Sequence, residues 1–136
     1  MDQIHQAAKT GDWNKLHRML ASGANFSHRT DDGETAMHLA AKGGHYDVVA
    51  LLAFYGDSVS AITQKGNTPL HEAASMGHIE CCETLIRCGA NVIAQNHLGE
   101  TPSDSARSNG KADIVDLLEQ ERAKPGTHKS VTIWDQ

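Results

Sequence analysis

Nine histidines and three cysteines are the residues in this chain most able to do chemistry, because both types bind metals and both act as bases or nucleophiles. His71-Glu72 opens as a zinc-protease helix motif opens. That motif needs a second histidine four residues after the first, on the same helix face, and position 75 is serine. The remaining histidines and cysteines lack the spacing of a closed ligand set, so no metal and no cofactor is expected. Lys42-Gly43-Gly44 puts a lysine beside glycines, but the G-x-x-x-x-G-K-[S/T] frame that wraps a phosphate is missing. No nucleophile stands beside a base. No catalytic residue is assigned, and a free-standing enzyme is the weakest of three functional readings.

The elements that would position such residues are easier to read. In Gly66 to His78, Thr68 is a helix N-cap and Pro69 the first helical residue, where a missing N–H costs nothing. Leu70, Ala73 and Ala74 share one helical face, and Gly77 supplies a left-handed stop. A helix of two turns is marginal alone in water, so it needs neighbours. The sequence supplies them. Gly33, Gly66 and Gly99 are spaced 33 residues apart, as are Thr35, Thr68 and Thr101, and Gly44, Gly77 and Gly110. Ala40, Ala73 and Ala106 keep the same step, and so do Leu52, Leu85 and Leu118. Gly11 extends one glycine series toward the N-terminus.

A 33-residue period carrying Thr-Pro-Leu-His-x-Ala marks stacked repeats. On these motifs the chain resembles the ankyrin-repeat family from Met1 to about Lys124. The resemblance implies an all-α solenoid of about four helix–turn–helix repeats with β-hairpin-like loops. The repeats fall at about 1–31, 32–64, 65–97 and 98–124, with 125–136 as a tail or linker. The first lacks the threonine-led opening and reads as a terminal repeat, with Trp13, Leu16, Met19 and Leu20 on its second helix. Ala36 replaces proline in the second, and Gly56-Asp57-Ser58 departs from Gly-Ala-Asn, which predicts a looser turn. Cys81 and Cys82 sit where the second repeat has Val48 and Val49, so they read as core. In the fourth, Ser103 replaces the apolar residue and Asp104 the histidine, still able to cap the helix. The resemblance gives His38 and His71 a structural slot tying loop to helix; His45 and His78 should bond to loops. Val131 to Trp134 is apolar and β-prone and could dock on the last repeat, start another domain or bind a partner.

Bulk properties set limits. A formal charge of −5, from 17 acidic and 12 basic residues, argues against non-specific binding to nucleic acid or an anionic membrane. The longest apolar run, Val48 to Tyr55, is too short to span a bilayer. Met1 to His5 does not open as a signal peptide opens, and Cys81, Cys82 and Cys88 are not spaced for a disulfide on one helix. A cytoplasmic or nuclear protein is expected.

Residues that repeat solve one packing problem repeatedly; binding must use those that do not. By register these are Asp31, Asp32, Glu34 and Lys42 in the second repeat. In the third they are Gln64, Lys65, Asn67, Ser75 and Met76, and in the fourth His97, Leu98, Glu100, Ser108 and Asn109. In the arrangement the resemblance implies, they line one concave face of a non-enzymatic interaction module, monomeric on its own, whose partner is another protein or peptide. The second reading is a regulatory or targeting segment of a larger protein with a further domain beyond Gln136. Phe54 and Tyr55 form either a second contact patch or a half-buried pair. In proteins of this resemblance the Gly-Ala-Asn turns can be asparaginyl-hydroxylase substrates, which makes Asn25 and Asn91 candidate hydroxylation positions. The competing role is a turn residue bonding its own backbone.

Overall fold

A computed structural model describes residues 3–124. Eight helices run in order: α1 (Gln3–Thr10), α2 (Trp13–Ala21), α3 (Ala36–Gly43), α4 (Tyr46–Phe54), α5 (Pro69–Met76), α6 (Ile79–Arg87), α7 (Pro102–Ser108) and α8 (Ala112–Ala123). They pair as α1–α2, α3–α4, α5–α6 and α7–α8. The first member of each pair stacks on the next pair's first member, and the second on the second. The result is two parallel layers of helices with one continuous core. The inner layer (α1, α3, α5, α7) packs more closely than the outer one, which bends the stack toward the inner side. Alanine is the cause: Ala7, Ala40, Ala73 and Ala106 are fully buried on the inner helices and let backbones approach. The outer helices fill the seam with Leu16, Leu52, Leu85 and Leu118, each fully buried.

Each inner helix is short, and the starts of α3, α5 and α7 are fixed by reciprocal caps. In α5 the Thr68 hydroxyl accepts from the His71 N–H at 3.3 Å, and His71 Nδ1 accepts from the Thr68 N–H at 3.1 Å. Because Nδ1 accepts a backbone N–H, the ring proton sits on Nε2. That N–H donates to the Glu100 carbonyl of the next repeat at 2.8 Å. The arrangement repeats in α3, where Thr35 caps and His38 Nε2 donates to the Asn67 carbonyl at 2.8 Å. His5, 33 residues before His38, meets the His28 carbonyl at 2.8 Å; this third member of the series escapes the sequence reading. In α7 Asp104 keeps the cap, its carboxylate accepting from the Thr101 N–H at 3.0 Å, which holds its pKa below the usual carboxylate range. It has no second arm to reach a following loop.

The stops are equally regular. Gly44 has φ +79°, and a Cβ there would lie 2.7 Å from the His78 ring, so glycine is required twice over. His78 and His45 do not bond to loops, as the sequence suggested. His78 Nε2 donates to the Lys42 carbonyl at 3.1 Å and His45 Nε2 to the Lys9 carbonyl at 3.0 Å. Both target the free carbonyls at the C-terminal end of the preceding inner helix. The loops between repeats are tight turns, with Thr63 N–H to the Asn67 carbonyl at 3.0 Å and its equivalents at Thr30 and Asn96. Neighbouring loops share one backbone bond each, Gln64 N–H to Asp32 and His97 N–H to Lys65, both 3.0 Å. They are hairpin-like, but no β-strand forms among the described residues.

One further expectation needs correction. The Gly56-Asp57 turn is not looser: Gly56 and Asp57 N–H bond the end of α4 at 3.0 Å each, as Gly23-Ala24 and Gly89-Ala90 do for their helices. The departure costs elsewhere. Asp57 takes the register of Ala24 and Ala90, and one oxygen of its carboxyl is buried without a partner. Burial raises its pKa above the usual carboxylate value. Ser103 is buried, and Trp13, at the start of α2, is partly exposed and stacked on His17 at 4.8 Å. Cys81 and Cys82 are core, their thiols pushed up to about 12 by burial. Val131 to Trp134 lies outside the described residues.

Three measurements check this account. Leu85→Ala should lower unfolding free energy in urea by about 2–5 kcal/mol, since the side chain is fully buried. Burial lowers the pKa of His38 and His71 below 6.5, so the folded chain holds them neutral. An unfolded chain takes up those protons first, and stability should fall as pH drops from neutral through the mid-acid range. His38→Gln with His71→Gln should flatten that slope while lowering stability overall. Asp57→Ala should raise stability by about 1 kcal/mol at pH 7. Its advantage should shrink as the pH falls into the acid range, because the raised pKa lets the wild-type carboxyl take up a proton and shed the penalty of its charge.

Candidate functional site: the inner-helix groove

The inner helices and loop tips form a groove on the inner side of the stack. Between the third and fourth repeats it encloses about 600 Å³, walled by α5, α7 and their loops. A second hollow of about 300 Å³ continues it toward the second repeat, between α3 and α5. Among the fourteen residues singled out by register, thirteen line these two hollows, from Asp32, Glu34 and Lys42 at one end to Ser108 and Asn109 at the other. Asp31 lies apart, in a polar hollow with His5, His28 and Arg29 beside the first loop. Its carbonyl accepts from the Gln64 side-chain amide at 2.7 Å, which links the two loop tips.

The groove has a fixed frame and a free surface. Asn96 donates to the Asn67 side-chain oxygen at 2.9 Å and to Glu100 at 3.0 Å, while its own oxygen accepts from the Leu98 and Glu100 N–H groups at 3.0 Å each. Asn109 donates to the Ser105 carbonyl at 2.9 Å and to Ser75 at 3.3 Å. These bonds hold loop and helix ends in place. Two apolar side chains project from the frame: Leu98 at a loop tip is 82% exposed and Met76 at the end of α5 is 51% exposed.

Electrostatically the two hollows carry Asp32, Glu34, Glu72 and Glu100 against Lys42 and Lys65. Lys42 Nζ pairs with Glu34 at 2.7 Å and stands 3.8 Å from Glu72. The hydrogen bond to Glu34 raises the Lys42 pKa. Burial raises that of Glu72, against the pull of Lys42. Glu72 lines both hollows and is missing from the register-based set. The signal for it was present: Leu39, Glu72 and Ser105 occupy one register, and such a position varies for reasons other than packing. Ser105, another wall residue, was missed the same way.

The other candidates are placed as follows. Asn25 and Asn91 are exposed, and each side-chain oxygen accepts from the N–H two residues on, Ser27 at 2.9 Å and Ile93 at 3.0 Å. Phe54 is 83% exposed on the outer layer, edge-on to Tyr55 at 5.5 Å, and Tyr55 is partly buried beside His17. Among the described residues no group of three metal-ligating side chains converges, and no helix is long and apolar enough to cross a membrane.

Helix pairs stacked in register, capped alike and stopped alike, define a repeat solenoid. A family model of three ankyrin repeats matches residues 4–96, and the chain belongs to the ankyrin-repeat family. A search of curated proteins found no match. Ankyrin repeats are generally protein–protein interaction modules, and the family is typically non-enzymatic.

Proposed function

We propose that this chain is a non-enzymatic interaction module that holds a partner protein or peptide in the groove of its inner face. One observation carries the reading: the alanines and leucines that recur every 33 positions are buried in the shared core, whereas most side chains that line the groove differ from repeat to repeat. A surface under packing constraint alone would not gather an exposed leucine and an exposed methionine beside charges on one rigid frame. Burial of such apolar groups in a complex is the main source of affinity. The loop-to-loop and histidine bonds pre-order the frame, so little ordering entropy is lost on binding. The proposal includes a chain that acts as a monomer in a reducing compartment, cytosol or nucleus, where its three thiols stay free.

The test is capture from cell extract followed by mass spectrometry, using wild type and a variant carrying Asp32→Arg, Met76→Arg and Leu98→Arg. All three side chains are exposed, so the variant should unfold within a few degrees of wild type. Partners taken by the wild type should fall at least about tenfold in the variant. Equal capture by both would remove the groove from the function.

A further inference from the structure

We propose that the groove between α5 and α7 recognises an arginine of the partner, seated on the Glu72 carboxylate, with an apolar neighbour of that arginine packed on Leu98. The inference rests on the groove being the binding surface and adds what it selects.

The argument begins with register. Position 72 is held by Leu39 one repeat earlier, a buried residue, and by Ser105 one repeat later. Packing at this position is therefore satisfied by an apolar or a small side chain. A carboxylate there is a departure that works against folding, since burial disfavours its charged form. Its side chain is only 15% exposed, and its nearest ion-pair partner, Lys42, is at 3.8 Å and already committed to Glu34 at 2.7 Å. Lys65 adds a weaker attraction, and burial still outweighs the pull of both lysines on the Glu72 charge. Glu100 also lines the wider hollow, one of its carboxylate oxygens accepting from Asn96 at 3.0 Å, so with Lys65 the lining carries two acids against one basic side chain.

The shape of the hollow fits the same occupant. At about 600 Å³ it is larger than a single side chain needs, and Lys65 and the exposed Leu98 both line it. Its wall offers hydroxyl oxygens from Ser75 and Ser105. A guanidinium presents five N–H donors in a planar fork, which can pair with the carboxylate and leave donors for those hydroxyls. An ammonium would offer a point charge and lose the bidentate match. Beside the arginine, an apolar side chain would cover Leu98, whose 82% exposure nothing in the fold requires. A negative hollow with an apolar rim is complementary to an arginine next to an apolar residue, and to neither feature alone.

Selection from a phage-displayed random dodecapeptide library against the full chain tests this. Enriched peptides should carry arginine beside Leu, Ile, Met or Phe. Synthetic versions should lose at least about tenfold in affinity with Glu72→Gln, which keeps the side chain's shape and should not lower stability. Glu119→Gln on α8, far from the groove, reports non-specific attraction to an acidic protein and should leave affinity unchanged. Arginine-bearing peptides equally sensitive to both substitutions, or indifferent to Glu72→Gln, would overturn the inference. Enriched peptides without a basic residue that are lost with Leu98→Arg would also overturn it, while leaving the groove as the binding surface. Peptides indifferent to Glu72→Gln, Met76→Arg and Leu98→Arg alike would remove the groove itself.

Discussion

The second and third repeats each depend on a neutral histidine ring with a nitrogen at each end of its task. In His71, Nδ1 accepts from the Thr68 N–H and so closes the cap of its own helix, while Nε2 donates to the Glu100 carbonyl of the next repeat. One side chain therefore settles a local question and a long-range one together. The helix it caps has eight residues, too few to be stable alone, so local order and stacking must arise together. The same coupling holds at His38, and burial enforces it by keeping both rings unprotonated. Asp104, with acceptor oxygens and no donor, keeps only the first of these two bonds.

Packing does the rest with few residue types. Alanines on the inner helices and leucines on the outer ones give the two layers different spacings, and the difference produces the curvature that makes a groove. The walls of that groove then come from the positions packing leaves alone. Its rigidity comes from the amide network of Asn67, Asn96 and Glu100, which ties one loop to the next without using the exposed tips.

Much of this was legible in the residues because it is local and repeated. Caps at Thr35, Thr68 and Thr101, stops at Gly44 and Gly77, and the core role of Cys81 and Cys82 follow from sequence spacing. What escaped depends on a neighbouring repeat. The targets of His45 and His78 are carbonyls 36 residues earlier, and no local pattern points to them. His5 was masked because its repeat has Asp2 where the others have threonine. The burial of Glu72, and its crowding with Glu34 around one lysine, appears only when α3 lies against α5. The Asp57 turn kept its geometry because the backbone bonds of that step do not involve the side chain; the mismatch fell on a buried oxygen instead.

The thinnest contact between stacked neighbours in the two layers is that of α6 with α8, on the outer side of the last repeat. The inner side there is held by α5 against α7, by the ring bond from His71, and by the bonds of Asn96, His97 and Asn109 to the preceding repeat. In a linear array each unit is held only by its neighbours, so opening starts where the join is weakest. The wider hollow lies on the inner side of the same repeat boundary, with α5 on one bank and α7 on the other. Whatever fills it bridges both banks, and so acts as a rivet against fraying from that end. Occupancy and hydrogen-exchange protection of the final helical pair are consequently linked by mass action.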